Sequence, residues 1–310
     1  MSKAFKEGFV LESKVKSLRE IVAEIPDEGA HIALGGFAIT RNPVAFVFEL
    51  IRQNKRDLTV SQIVAGLETD LLVGAGLVKK IQYSGGSLDR FGRLERINEA
   101  INKGLIDARE YSGTSMALRF LAGSMGIPFI PAKYLLGTDM LNALLEKKDD
   151  AIRVERSPFD GERYVYLRAL QPDFAVIHAQ YADEKGNVII EGPYWDVETA
   201  KSAKKLFVTV EKVVSTEFIK RNPEKVVIPS LYVSAVAEVP FGAFPCSVYR
   251  FYDYDKDMLK EYAEASKDES KFKEFLQDYV LGTKDFEEFL EKVGGIRRLN
   301  KIKADPVYGY

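Results

Sequence analysis

The chain has 310 residues, 46% of them hydrophobic and 29% charged, with a formal net charge of -2. That length accommodates one large domain or two smaller ones, and the near-neutral balance gives no electrostatic case for nucleic acid as a partner. Cys246 is the only cysteine, which excludes an intrachain disulfide and fits a reducing compartment. No apolar run reaches the roughly 20 residues of a membrane helix, and "MSKAFKEGFVLESK" lacks the apolar region of a signal peptide. A cytoplasmic protein without a membrane partner is expected.

In chain order, "SKVKSLREIVAEI" sets Val15, Leu18, Ile21, Val22 and Ile25 at helical spacing, with Ser13 as the expected N-cap. "HIAL" reads as a short buried strand and runs into Gly35, Gly36 and Phe37. "NPVAFVFELIRQ" then opens a helix with Asn42 as cap and Pro43 at the first helical position. "DLTVSQIVA" and "KKIQYSG" predict two more strands, and "RLERINEAINKG" a helix closed by Gly104. "LIDAREY" predicts a fourth strand, and "SMALRFLAGSMG" a helix ended by Gly126. "LEKKDDAIRVERSPFDGERYV" breaks the rhythm, and its charges and Pro-Phe-Asp-Gly turn read as a surface excursion. Beyond it lie "YVYLRAL", "DFAVIHAQ", a hairpin around Asp183 to Asn187, "KLFVTVE" and "LYVSAVAEV". Charged amphipathic helices follow from Tyr254 on.

Strands separated by helices need crossover connections, which predicts an α/β fold with a mostly parallel sheet and helices on both faces. Residues 1–253 read as the α/β domain and 254–310 as a helical C-terminal extension packed on it.

Two readings of Gly35 and Gly36 stand side by side. Glycine after a strand permits positive φ and close packing. Alternatively the pair exposes N–H groups beside a helix N-terminus, an arrangement that favours a carboxylate or an oxyanion. No Gly-Lys-Ser/Thr follows, and the third glycine of the dinucleotide fingerprint is missing. "YSGGSLD", with Ser84, Gly85, Gly86 and Ser87, follows the third strand at the edge where open α/β sheets bind ligands. It suits a substrate carboxylate, or is a plain Gly-Ser turn. Glu110 ends the fourth strand at the same edge. His31 and His178 are far apart and, with one cysteine, make no zinc site of standard spacing; His178 reads as structural. No metal is expected.

Several stretches together carry a family resemblance. "PDEGAHIALGGFAITRNPVAFVFELIRQ", "EYSGTSMALRFLAGSMGIPFIP", "LLGTDM", "FAVIHAQYADEKGNVIIEG", "VPFGAFPCSVYRFYDYD" and the tail from "FLEKVGGIRRLN" to "VYGY" resemble the α subunit of family I CoA-transferases, in its glutaconate CoA-transferase branch. Asp27-Glu28-Gly29 carries an inserted residue against the strictest form, and Asn42 stands where many members have glycine. The resemblance implies transfer of CoA between acyl-CoA and a short dicarboxylic acid, through a glutamyl-CoA thioester on a β subunit. No such glutamate motif occurs in this chain, so it implies a two-chain enzyme, with this chain alone inactive and CoA thioesters as substrates rather than a resident cofactor. It places Gly35, Gly36 and Phe37 at or near the active site. A related group, ring-opening acyl-CoA hydrolases of steroid catabolism, uses a glutamate in an Ala-Arg-Glu context, which Ala108-Arg109-Glu110 matches. A non-catalytic binding protein that keeps the fold is the third reading.

Overall fold

A computed structural model describes residues 13–305 and 307–308. The segment read for a signal peptide lies mostly outside the described residues, as do Gly309 and Tyr310 of the tail. The first helix, α1 (Leu18–Ala23), is capped by Ser17, which forms a capping box with Glu20. Ser13 is not the cap, because Val15 is drawn into a bridge with Val236 and the chain turns helical only after Ser17. Alternating strands and helices follow: β1 (His31–Leu34), α2 (Val44–Arg52), β2 (Leu58–Ser61), α3 (Leu67–Gly74), β3 (Val78–Tyr83), α4 (Glu95–Asn102), β4 (Asp107–Glu110) and α5 (Gly113–Ser124).

The expected surface excursion is more ordered than its composition implies. β5 (Phe129–Ala132), α6 (Asp139–Glu146), β6 (Ile152–Arg156) and β7 (Arg163–Arg168) form a small unit whose strands make an antiparallel sheet in the order β5-β7-β6. Its charged strands face water on one side and bury Ile152, Val165 and Leu167 on the other. The chain then re-enters the main sheet with β8 (Phe174–Asp183), the hairpin arm β9 (Val188–Ile189), α7 (Asp196–Ser202), β10 (Lys205–Val214), α8 (Thr216–Arg221), β11 (Val226–Ile228) and β12 (Val233–Glu238).

The main sheet has nine strands, and its parallel run reads β4-β3-β2-β1-β8-β10-β12. β8 is long enough to pair β1 through Phe174–Val176 and β9 through Tyr181 and Ala182. Because β10 occupies the opposite edge of β8, the hairpin arm β9 takes up the line of β1 where β1 stops. The chain runs outward from β1 to β4 on one side and from β8 to β12 on the other. The β1/β8 junction is therefore the topological switch point, the crevice where open α/β sheets bind ligands.

Side chains alternate across the sheet as the pleat requires. Ile32, Leu34, Val176 and Phe207 join one core, and Ala33, Ile177, Leu206 and Val208 the other. The first core is closed by α9 (Lys256–Ala265), α10 (Glu269–Phe275), a π-helical turn (Leu276–Leu281), α11 (Phe286–Lys292) and α12 (Gly295–Ile302). Phe48 of α2 meets Phe286 and Phe289 at ring distances of 5.4 and 4.9 Å. Among the described residues no helix is long and apolar enough to cross a membrane.

Candidate active site

At the end of β1 the Gly35 N–H donates to Val176 O (2.8 Å), continuing the β1–β8 ladder by one residue. Gly36 then turns to φ +84° and donates its N–H to Asp196 Oδ1 (2.6 Å). The other carboxylate oxygen of Asp196 holds Arg41 Nη2 (2.6 Å), and Arg41 Nη1 donates to Pro193 O (2.6 Å). Arg41 and Asp196 are almost wholly buried. Phe37 and Thr40 exchange two backbone hydrogen bonds (2.9 and 2.8 Å) in a tight turn, with Ala38 at φ +53°.

These contacts correct the expectation of a free anion cradle. None of the N–H groups of Gly35, Gly36 and Phe37 is open: Gly35 and Phe37 donate to backbone carbonyls, and the Asp196 carboxylate takes the Gly36 N–H. The first helical N–H groups are also taken: Val44 donates to Asn42 O and Ala45 to Gly242 O. Glycine is needed at 35 because a Cβ there would collide with the Asp196 carboxylate and Ile177. Asn42 does not cap α2 either; Pro43 occupies that place, and no side chain bonds to the cap.

Asn42 instead reaches beneath the loop. Its Nδ2 donates to Ala38 O (3.1 Å) and to Glu68 Oε2. Gln62 donates to Gly35 O (3.0 Å) and to Glu68 Oε1 (2.5 Å), and Thr69 donates to Gln62 (2.5 Å). Glu68 is fully buried, and desolvation pushes its carboxyl up to about 7, against hydrogen bonds that favour the charged form. The loop thus rests on a sealed polar layer one residue deep.

Above that layer lies a cavity of about 360 Å3, lined by Phe37, Arg41, Trp195, Tyr249 and Tyr252 among others. Phe37 (41% exposed) and Trp195 (52% exposed) stack at 6.4 Å with an interplanar angle of 21°. Two large aromatic rings left open beside a polar floor suit an elongated ligand or a partner surface that excludes water. Tyr252 is anchored from below: its hydroxyl donates to Glu211 Oε1 (2.6 Å), which His178 Nε2 also meets at 2.7 Å. His178 is a buried structural residue inside β8, with Nδ1 against Thr209 Oγ1 (2.8 Å). His31, which has no assignable partner in the sequence, bonds Ser61 Oγ (2.8 Å); burial drives its pKa down to about 4, so it stays neutral.

Ser84, Gly85, Gly86 and Ser87 form a second rim segment after β3. The Ser84 hydroxyl donates to Ile63 O, and Ser87 Oγ accepts from the Asp89 N–H (3.1 Å). Gly85 stands at φ +87°, and a Cβ on Gly86 would strike Ala65 O. Gly85 and Gly86 line a separate cavity of about 570 Å3 with Tyr83, Arg93, Asn98 and Glu110. Glu110 is exposed, and its side chain has no hydrogen bond or ion pair among the described residues. It sits near enough to Tyr83 to help burial push that phenol up to about 12.

The structure divides the expected residues. Phe37 lines the aromatic cavity, with Gly35 and Gly36 buried behind it; Gly85, Gly86 and Glu110 line the second cavity, with Ser84 and Ser87 flanking the glycines in the chain. β1 and β4 are three strands apart, about 14 Å at the usual spacing, and the loop after β2 bridges the gap. Sequence reasoning missed Arg41, Glu68, Asp196 and Trp195. Asp196 lies 160 residues from Gly36 and has no local motif. Trp195, as the lone tryptophan beside Pro193-Tyr194, was the one available signal. Cys246 is buried, and its thiol is raised well above its ordinary value by desolvation, so it offers no nucleophile.

The fold and its C-terminal rim are those of a known class. Residues 15–239 match the Coenzyme A transferase family model, and the chain belongs to that family. It is 36% identical to the α subunit of glutaconate CoA-transferase from Acidaminococcus fermentans, with 96% of this chain and 97% of its relative covered. The crystal structure of glutaconate coenzyme A-transferase from the same organism superposes with a TM-score of 0.91 at 35% identity, covering 96% of this chain and 98% of that one. A cholesterol ring-cleaving hydrolase subunit of Rhodococcus jostii is 31% identical over 87% of this chain and 92% of its own. The chain spans 65% of the length of a longer Archaeoglobus fulgidus protein, to which it is 35% identical.

Proposed function

We propose that this chain is the α subunit of a two-chain CoA-transferase that moves CoA between an acyl-CoA and a short dicarboxylic acid such as glutaconate. The observation that carries the reading is the match to one chain of a glutaconate CoA-transferase across nearly the full length of both proteins. In the reaction, a glutamate carboxylate of the β chain attacks the thioester carbonyl, giving a mixed anhydride and CoA thiolate. The thiolate attacks the glutamyl carbonyl of the anhydride, forming the enzyme thioester and releasing the first acid. An incoming carboxylate repeats the two steps in reverse, which returns the glutamate and yields the new acyl-CoA. This chain contributes surface rather than nucleophile. Phe37 and Trp195 exclude water from a reactive anhydride, and Gly35 and Gly36 admit the Asp196 carboxylate that holds the Phe37 loop in place. Ser84 to Ser87 offer polar groups for a substrate carboxylate.

A second reading has its own observation. Glu110 lines the second cavity and, among the described residues, its side chain has no hydrogen bond or ion pair, which supports it as the base that activates water in a ring-opening hydrolase. The deciding experiment uses this chain purified together with its β chain and supplied with acyl-CoA and glutaconate. The transferase reading expects glutaconyl-CoA to appear at a rate that Glu110→Ala changes less than tenfold. Hydrolysis of a cyclic acyl-CoA, abolished by Glu110→Ala and without transfer, would replace it.

A further inference from the structure

A cavity of about 880 Å3 lies between the start of α9 and the length of α12. Its walls carry five cations, Lys256, Arg297, Arg298, Lys301 and Lys303, against three carboxylates, Asp253, Asp255 and Asp257. Arg298 is committed to Asp255 through bonds of 2.7 and 2.8 Å. Among the described residues the side chains of Lys256, Arg297, Lys301 and Lys303 have no ion pair or hydrogen bond. Arg297 and Lys301 stand one helical turn apart on α12, a spacing at which like charges repel. A surface helix that keeps such a pair uncompensated over a concavity is built for a polyanion.

The cleft adjoins the aromatic cavity beside Phe37. Asp253 lines both spaces. Tyr252, a wall of the aromatic cavity, pairs with Lys303 through the backbone, and the Asp253 N–H donates to Ile302 O (2.7 Å). On the other side Thr40 bridges to Ser247. An aromatic-walled site thus lies beside a cationic one along the segment from Ser247 to Lys303. A CoA thioester has the same polarity: a reactive acyl end, a slender neutral arm, and a nucleotide bearing three phosphates.

We propose that this cleft binds the phosphate end of the acyl-CoA, with Arg297 and Lys301 as its principal contacts and the arm crossing the aromatic cavity. The assignment rests on the reading of the chain as half of a CoA-transferase. Arginine grips phosphate oxygens through two parallel donors and lysine supplies a point charge. The C-terminal helices are then a substrate-binding element as well as a cover for the core.

The test uses the α–β complex with Arg297→Ala, Lys301→Ala and the double variant; both residues are exposed. The KM for acyl-CoA is expected to rise at least tenfold in the double variant, while the KM for the carboxylate co-substrate stays within twofold. With 3′-dephospho-acyl-CoA the same substitutions should cost less, because one phosphate is already missing. Calorimetric titration with free CoA, ATP and inorganic phosphate separates the sources of the anion. CoA is expected to bind most tightly and to lose affinity in the variants. Unchanged KM and CoA affinity in the double variant would overturn the proposal, as would inorganic phosphate displacing CoA at equal concentration. If the complex transfers no CoA to any acid, the functional reading fails on its own. The CoA titration then still decides the cleft: weakened binding in the variants upholds it, and unchanged binding overturns it.

Discussion

At Asp196 one side chain answers three backbone and charge requirements at once: the Gly36 N–H, the Arg41 guanidinium and the close approach that excludes a Cβ from Gly35. Breaking a buried pair strands the surviving charge, which costs about 3–5 kcal/mol, more than the pair itself contributes. Asp196→Ala is therefore expected to lower unfolding stability by that amount in urea denaturation, with an unchanged m-value. A change below about 1 kcal/mol would mean that Arg41 finds water. Glu68 makes a prediction of opposite kind. Its carboxyl is raised from 4.5 to about 7, so the native state keeps a proton that the unfolded chain has lost. The contribution of Glu68 is thus fully present below pH 4.5, declines as pH rises to 7 and is gone beyond, a loss of about 3 kcal/mol at 1.36 kcal/mol per unit. Asp70, raised to about 6, adds a slope of the same sign between 3.8 and 6. Glu68→Gln should remove its own share, making the variant gain on the native protein as pH rises from 4.5 to about 7. Parallel pH profiles for the two proteins would refute the assignment.

Elements with a polar and an apolar face are readable in the sequence, and those without one are not. α4 and the C-terminal helices announce themselves through periodicity, whereas α3 buries Leu67 through Val73 on every side, Glu68 and Asp70 included, and leaves no pattern to find. β6 reads as loop because only its Ile152 is buried. The site divides along the same line. Gly35 to Phe37 and Ala108 to Glu110 are contiguous and visible; the Asp196–Arg41 pair joins positions 155 residues apart and depends on a hairpin continuing the line of β1. Tertiary contact of that range leaves no trace in one sequence. The C-terminal helices are nonetheless integral to the core, since Phe289 touches Phe48, Phe244, Tyr279 and Phe286. Phe289→Ala should cost about 3–5 kcal/mol, as a buried aromatic deletion does. A loss under about 1 kcal/mol in the same denaturation assay would mark these helices as an independent layer.

Across the whole molecule, the parallel sheet brings the loops after β1, β2 and β3 to one rim, and the switch point between β1 and β8 is sealed by the chain's own ion pair. What stays open on that rim is the aromatic surface of Phe37 and Trp195 and the exposed Glu110, with Cys246 buried. Under the proposed function this rim is one wall of a site that the β chain completes. Intact-protein mass spectrometry of the α–β complex after incubation with acyl-CoA tests this most directly. The account predicts a covalent CoA adduct on the β chain, none on this chain, and its persistence in Glu110→Ala. An adduct on this chain, or turnover of acyl-CoA that leaves neither chain modified and vanishes in Glu110→Ala, would contradict it.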